Sequence, residues 1–143
     1  MPDHVAENRR RAMGLLGLPH DALVTARQVH GTHVHFVTGP GDPAISIEAD
    51  GLVTKTAGFA IGILTADCAP VLLADPGRSI VGAAHAGWRG AKTGVLEAVL
   101  AEMVRQGARR SHIQAVIGPC IGQPSYEVAP DFPEPFLATK AIF

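Results

Sequence analysis

The sequence predicts a mixed α/β fold, with helices layered on a mostly buried mixed sheet, and three observations carry that expectation. Short apolar runs bounded by Gly, Pro or Asp recur through the middle of the chain, as in strands covered on both faces. Two stretches, one at the start and one after Arg89, carry apolar residues at helical spacing instead. The chain has 143 residues, 47% hydrophobic and 17% charged, which suffices for one core and is too short for two comfortable domains.

In chain order, Asp3 is expected to N-cap a first helix whose stripe of Val5, Ala12, Met13 and Leu16 stops around Gly17 and Pro19. Leu23 to Val29 and Val34 to Thr38 read as strands around a His30-Gly31 turn, and Gly39 to Pro43 reads as a loop. A short strand around Leu52 and Val53 precedes runs at Phe59 to Leu64, Val71 to Ala74 and Ile80 to Ala84. Beyond Arg89, the spacing of Val95, Leu96, Val99, Leu100, Met103 and Val104 predicts one apolar helix face, with Gly107 as its stop. Ile113 to Ile117 is expected to be a further buried strand, and from Pro124 the periodicity fades.

Charge and composition exclude several classes. Twelve basic against thirteen acidic residues leave a formal charge of −1, without the footprint of a nucleic-acid or anionic-membrane binder. The cluster Arg9-Arg10-Arg11 falls in the first helix, where a solvated face is the default reading. The apolar 59–74 region is broken by Asp67, Cys68 and Pro70, so it does not reach membrane-span length. The polar start does not resemble a secretory signal, and two cysteines make no disulfide framework, although one bridge between Cys68 and Cys120 stays open. A reducing cytoplasm is the expected setting.

Three segments each end an apolar run on a metal-capable side chain: Gln28-Val29-His30-Gly31, Thr65-Ala66-Asp67-Cys68 and Ala84-His85-Ala86-Gly87-Trp88-Arg89-Gly90. Any one of these side chains alone is more often packed or solvated than ligating. Together, two imidazoles and one soft thiolate suit zinc, and three protein ligands leave a fourth tetrahedral position open, the mark of a catalytic site. The strand-to-helix switch after His85 also places the amides of Gly90, Ala91 and Lys92 near a helix N-terminus, where phosphate would fit.

These segments, with Ile117-Gly118-Pro119-Cys120-Ile121-Gly122 and Tyr126-Glu127-Val128, resemble the bacterial YfiH/YlmD family, also called the laccase-domain or multicopper polyphenol oxidase family. Several motifs in the right order cover nearly the whole chain. The resemblance implies that His30, Cys68 and His85 bind zinc. It further implies phosphate-dependent cleavage of adenosine, inosine and methylthioadenosine-type nucleosides, with adenosine deamination as a second reaction. Arg9 occupies the position of a phosphate-contacting arginine in the family's Asn-Arg helix motif. Members of the family extend beyond both ends of this sequence, so residues 1–143 are expected to form a single catalytic domain, incomplete at both ends, with part of the purine pocket outside it.

Arg89 is a second cationic candidate for phosphate or substrate, with a structural ion pair as its equal alternative. Asp67 either orients a ligating imidazole or caps a turn. His33 and His35 alternate on one strand and in principle form a copper pair. A trinuclear copper centre plus a blue-copper site needs many more imidazoles than the five of seven left after His30 and His85, so copper fits less well than zinc. Cys120 follows a Gly-Pro turn and reads as an inert buried thiol, with a place near the site as the alternative, and His4, His20 and His112 carry no signal. The partners expected are a purine nucleoside and phosphate, with no nucleic acid or membrane. The alternatives are a Cys-His hydrolase or deamidase built on Cys68 and His85, a polyphenol oxidase, or an inactive fragment with a binding role.

Overall fold

In a computed structural model that describes residues 2–42 and 46–137, a five-stranded mixed sheet carries a helix layer on one face. The elements are α1 (Pro2–Leu15), β1 (Leu23–Thr25), β2 (Val34–Phe36), β3 (Gly51–Thr54), β4 (Ala60–Gly62), β5 (Ala69–Asp75), β6 (Ile80–Ala86), α2 (Trp88–Thr93), α3 (Val95–Arg105), β7 (Gln114–Ile117) and α4 (Glu134–Leu137). The large sheet runs β2-β3-β6-β5-β7, with β2 parallel to β3 and every other pair antiparallel. A separate two-stranded parallel sheet joins β1 to β4. The predicted mixed α/β class is therefore the fold observed. The expected strands around His30 do not pair with each other: β1 and β2 belong to different sheets.

The helix predicted after Arg89 is two helices. Gly94 breaks them at φ 101°, a left-handed conformation that glycine adopts without a Cβ penalty. The apolar stripe of α3 then buries Val95, Val99 and Met103 completely against the sheet. Two strand glycines permit that approach: a Cβ on Gly51 would stand 2.6 Å from Val99 Cγ2, and one on Gly82 would stand 2.9 Å from Met103 Sδ. At its far end α3 stops as predicted beside Gly107 (φ 110°), where Ala108 N–H donates to Met103 C=O and Gly107 N–H to Val104 C=O, a Schellman closure.

Residues Leu52 and Val53 point to opposite faces of β3 and fall in two different apolar clusters. Val53 joins the layer under α3 with Val71, Leu73, Ile80 and Ala84. Leu52 joins Met13, Ala22, Val24, Val37 and Phe59 on the other side. So β3 is covered on both faces, as expected, but β5 and β7 are not. Leu72 is 54% exposed and Val116 65%, and β7 is exposed along its length rather than buried, because it is the sheet edge and none of its residues joins the cluster under α3.

The first helix also departs from expectation. Asp3 lies inside α1 rather than capping it, since the helix begins at Pro2, a residue suited to a first turn. Of the predicted stripe, Val5, Ala12 and Leu16 are exposed and Met13 alone is buried, with Leu18 packing on the same cluster after a glycine turn at Gly17. The basic cluster is solvated: Arg10 and Arg11 both bind Glu7, and those bonds, Arg10 foremost, hold the Glu7 carboxyl down at about 2. Pro43, at the end of the predicted Gly39–Pro43 loop, lies outside the described residues.

Candidate metal centre

The chain reaches the site four times, and each approach is held by a polar contact. His30 sits in the loop after β1, not at a strand end, with φ 61°. A β-carbon makes that conformation costly, so the loop needs outside support. Asp50 supplies it. Its Oδ1 accepts the His30 N–H (2.9 Å), and its Oδ2 accepts those of Val29 (3.1 Å) and Gly31 (2.7 Å). Gln28 ties the same loop to the approach to Cys68: its Nε2 donates to Leu64 C=O (2.7 Å) and its Oε1 accepts the Leu64 N–H (2.8 Å).

Cys68 immediately precedes β5, and His85 lies near the end of β6, directly opposite Pro70 in the β5 register. The three ligand-capable atoms of His30, Cys68 and His85 all lie within 4.8 Å of one another. Among the described residues, this is the one such group of three or more His, Cys or carboxylate side chains. The Cys68 Sγ to His30 Nε2 separation is 3.8 Å, and the His30 and His85 rings meet edge to face at 4.7 Å. A sulfur and a nitrogen bound to one zinc at ordinary lengths stand about 3.5 Å apart, so the spacing and donor set fit one metal ion. Gly87 keeps that spacing open: a Cβ there would lie 2.7 Å from His30 Cδ2 and 3.1 Å from Cys68 Sγ.

His85 is 4% exposed, and its Nδ1 is 2.7 Å from Asp50 Oδ1. Asp50 itself is fully buried. Burial alone would raise its carboxyl, but the bonds from His85 and from the Gly31, Val29 and His30 amides outweigh it and hold the group below the usual carboxylate range. Asp50 is thus ionised at neutral pH. Cys68 is moved the other way: burial first, then the charges of Asp67 and Asp50, push its thiol up.

A cleft of about 540 Å³ opens over His30 and Cys68, walled by Asp67, Trp88, Arg89 and Tyr126. The Arg89 guanidinium lies 5.1 Å over the Trp88 ring, and Phe132 meets the same ring edge to face. Cys120 also lines the cleft and is exposed there rather than buried, and both cysteines are free. Arg9 is exposed on α1 and is not among the cleft-lining residues. Asp67 stands on the cleft wall, but the carboxylate bonded to His85 is Asp50, which the sequence reading missed. The available signal was a charged residue at the mouth of an otherwise apolar strand, Ala49-Asp50-Gly51-Leu52-Val53. Of the expected anion-binding amides, that of Ala91 is spent on Gly87 C=O (2.8 Å), because α2 begins at Trp88. His33 and His35 belong to no larger group of metal-capable side chains among the described residues: His33 is exposed, and His35 Nε2 meets Asp42 Oδ1 at 2.7 Å.

Against known proteins, residues 1–142 match the family model described as multi-copper polyphenol oxidoreductase laccase. The chain belongs to this family, the YfiH/YlmD family. A relative from Deinococcus radiodurans, named purine nucleoside phosphorylase, is 43% identical over 137 residues, 96% of this chain and 53% of the relative. The Escherichia coli protein named purine nucleoside phosphorylase YfiH is 40% identical and covers 98% of this chain and 55% of its own length. The crystal structure of YlmD from Geobacillus stearothermophilus superposes with a TM-score of 0.81 at 33% identity, over 94% of this chain and 53% of that one. The chain thus spans about half the length of the curated relatives it matches. No helix among the described residues is long and apolar enough to cross a membrane.

Proposed function

We propose that this chain carries the metal centre of a zinc-dependent purine nucleoside phosphorylase that cleaves adenosine, inosine and methylthioadenosine-type nucleosides with phosphate and also deaminates adenosine. The observation that carries the reading is the convergence of His30, Cys68 and His85 beneath an open cleft. The names of the relatives support the reaction class. One thiolate with two imidazoles suits zinc, a multicopper centre needs more imidazoles than converge here, and three ligands leave a position for water or substrate. Zinc bound there would supply Lewis-acid polarisation and an activated water.

The surrounding residues have separable parts. Trp88 and Tyr126 give the cleft aromatic walls against which a purine packs. Arg89 lines the same wall, and in this reading it holds phosphate against the sugar carbon as the purine leaves. Arg9 carries a phosphate role by resemblance alone. Losing a charge-assisted contact typically costs about 1.5–3 kcal/mol, so Arg89→Ala should weaken phosphorolysis by at least about tenfold. Arg9→Ala discriminates the two arginines: loss of phosphorolysis with deamination intact would return the phosphate to α1.

Purified protein loaded with zinc and given inosine should release hypoxanthine and ribose 1-phosphate only when phosphate is present, while adenosine deamination continues without it. Chelation should abolish both. Activity that persists in metal-free protein and is lost in Cys68→Ala would replace this reading with a cysteine hydrolase. The elevated Cys68 thiol opposes that alternative, since an activated cysteine needs a lowered one. No turnover of either nucleoside would leave a binding role. A cytoplasmic setting, where thiols stay reduced, suits a thiolate ligand.

A further inference from the structure

Asp50 supports both imidazole-bearing segments, and its Oδ1 is shared between them. Its backbone C=O accepts the His85 N–H at 2.7 Å, and its Oδ1 meets His85 Nδ1 at 2.7 Å, so one residue grips His85 by main chain and by ring. The same carboxylate gathers three consecutive amides of the His30 loop. Asp50 is itself pinned, because its N–H and that of Gly51 both donate to His33 C=O. Four donors converge on two oxygens with no access to solvent.

A carboxylate can only accept in such a cluster, which dictates the donor on the other side. The His85 ring must present Nδ1–H to Asp50, leaving the Nε2 lone pair free for a metal shared with His30 and Cys68. We propose that Asp50 is the positioning residue that assembles the metal centre, fixing His85 in its Nδ1–H tautomer and holding the left-handed His30 loop in register with it. This deepens the zinc reading and rests on it. The competing role is purely structural: a buried acceptor that stabilises a loop and has no bearing on the ligands.

Asp50→Asn keeps the shape and separates the two roles. An amide offers one acceptor oxygen and one donor nitrogen, so either the His85–His30 side or the Val29–Gly31 side of the cluster faces a donor instead of an acceptor. Zinc affinity, measured by competition with a chromophoric chelator, should fall about ten- to a hundredfold, as it does when a ligand's outer partner is removed. Asp75→Asn is the matched control, another buried aspartate accepting a backbone amide but remote from the cleft, and its zinc affinity should stay within about twofold of wild type.

The second measurement needs no metal. In the metal-free wild-type protein with ¹⁵N-labelled histidine, the His85 nitrogen shifts should report Nδ1–H, and in Asp50→Asn a mixture of tautomers. A wild-type His85 protonated at Nε2 overturns the proposal, whether or not the variant folds. So does zinc affinity in Asp50→Asn equal to that of Asp75→Asn. Wild-type protein that binds no zinc but shows the Nδ1–H tautomer would sink the zinc reading and leave the Asp50 geometry standing.

Discussion

A single hydrogen separates a working site from a blocked one at position 87. Gly87 has φ −69°, which any residue adopts, so what requires glycine there is space beside His30 and Cys68 and not backbone freedom. Gly87→Ala should therefore keep the metal-free fold while forcing the His30 ring or the Cys68 sulfur off position. We expect at least about a tenfold loss of zinc affinity with an unchanged circular dichroism spectrum. An unaltered affinity would show that the site adapts to a methyl group. Residue types also mark how much was legible in the sequence. His30, Cys68 and His85 announce themselves because imidazole and thiol are rare and chemically distinct. Asp50 is one of thirteen acidic residues, and its role exists only through contacts made 19 to 35 residues away.

At the scale of elements, α3 supports the platform that carries His85. Val95, Val99 and Met103 are fully buried, and Met103 contacts the strand before the ligand through Gly82. Met103→Ala removes a fully buried side chain and leaves a cavity, so a loss of about 2–5 kcal/mol in denaturant unfolding is expected. A loss below about 1 kcal/mol would mean that α3 collapses onto the sheet. The heptad-like spacing of α3 was readable because one face meets the core along its whole length. The stripe of α1 misled, since three of its four apolar residues face solvent and Met13 alone is buried. Periodicity reports that a face is apolar; burial depends on whether a partner surface is present. The same distinction explains β5, whose apolar run meets the helix layer on one face, and β7, whose run is exposed on both.

Across the whole molecule, the buried carboxylates set the response to acid. Asp75 lies at the end of β5, far along the strand from Cys68, and the Arg109 N–H bonded to it holds its carboxyl below the ordinary value. A depressed folded-state value stabilises the protein above the unfolded value of about 3.9, and that contribution is lost as pH falls through the folded value. Stability measured by urea unfolding should thus decline from about pH 4 downward, and Asp75→Asn should flatten the decline over that range. A variant with the wild-type slope would remove Asp75 as a source. The contribution of Glu7 is different in kind: its arginine bonds are solvent-exposed and screened by salt.

The centre is drawn from positions 30, 50, 68 and 85, each on a different stretch of the chain, and no two of them are neighbours until β3, β5 and β6 have zipped together. Closing those intervals carries an entropic cost that local pairing must meet first, so the ligands become one site late on the folding route. A metal that binds only the finished arrangement has nothing to grip in the transition state. It should therefore leave the refolding arm of a chevron where it stands and slow the unfolding arm, turning zinc into a lock on the native lifetime with little influence on how fast that state is reached.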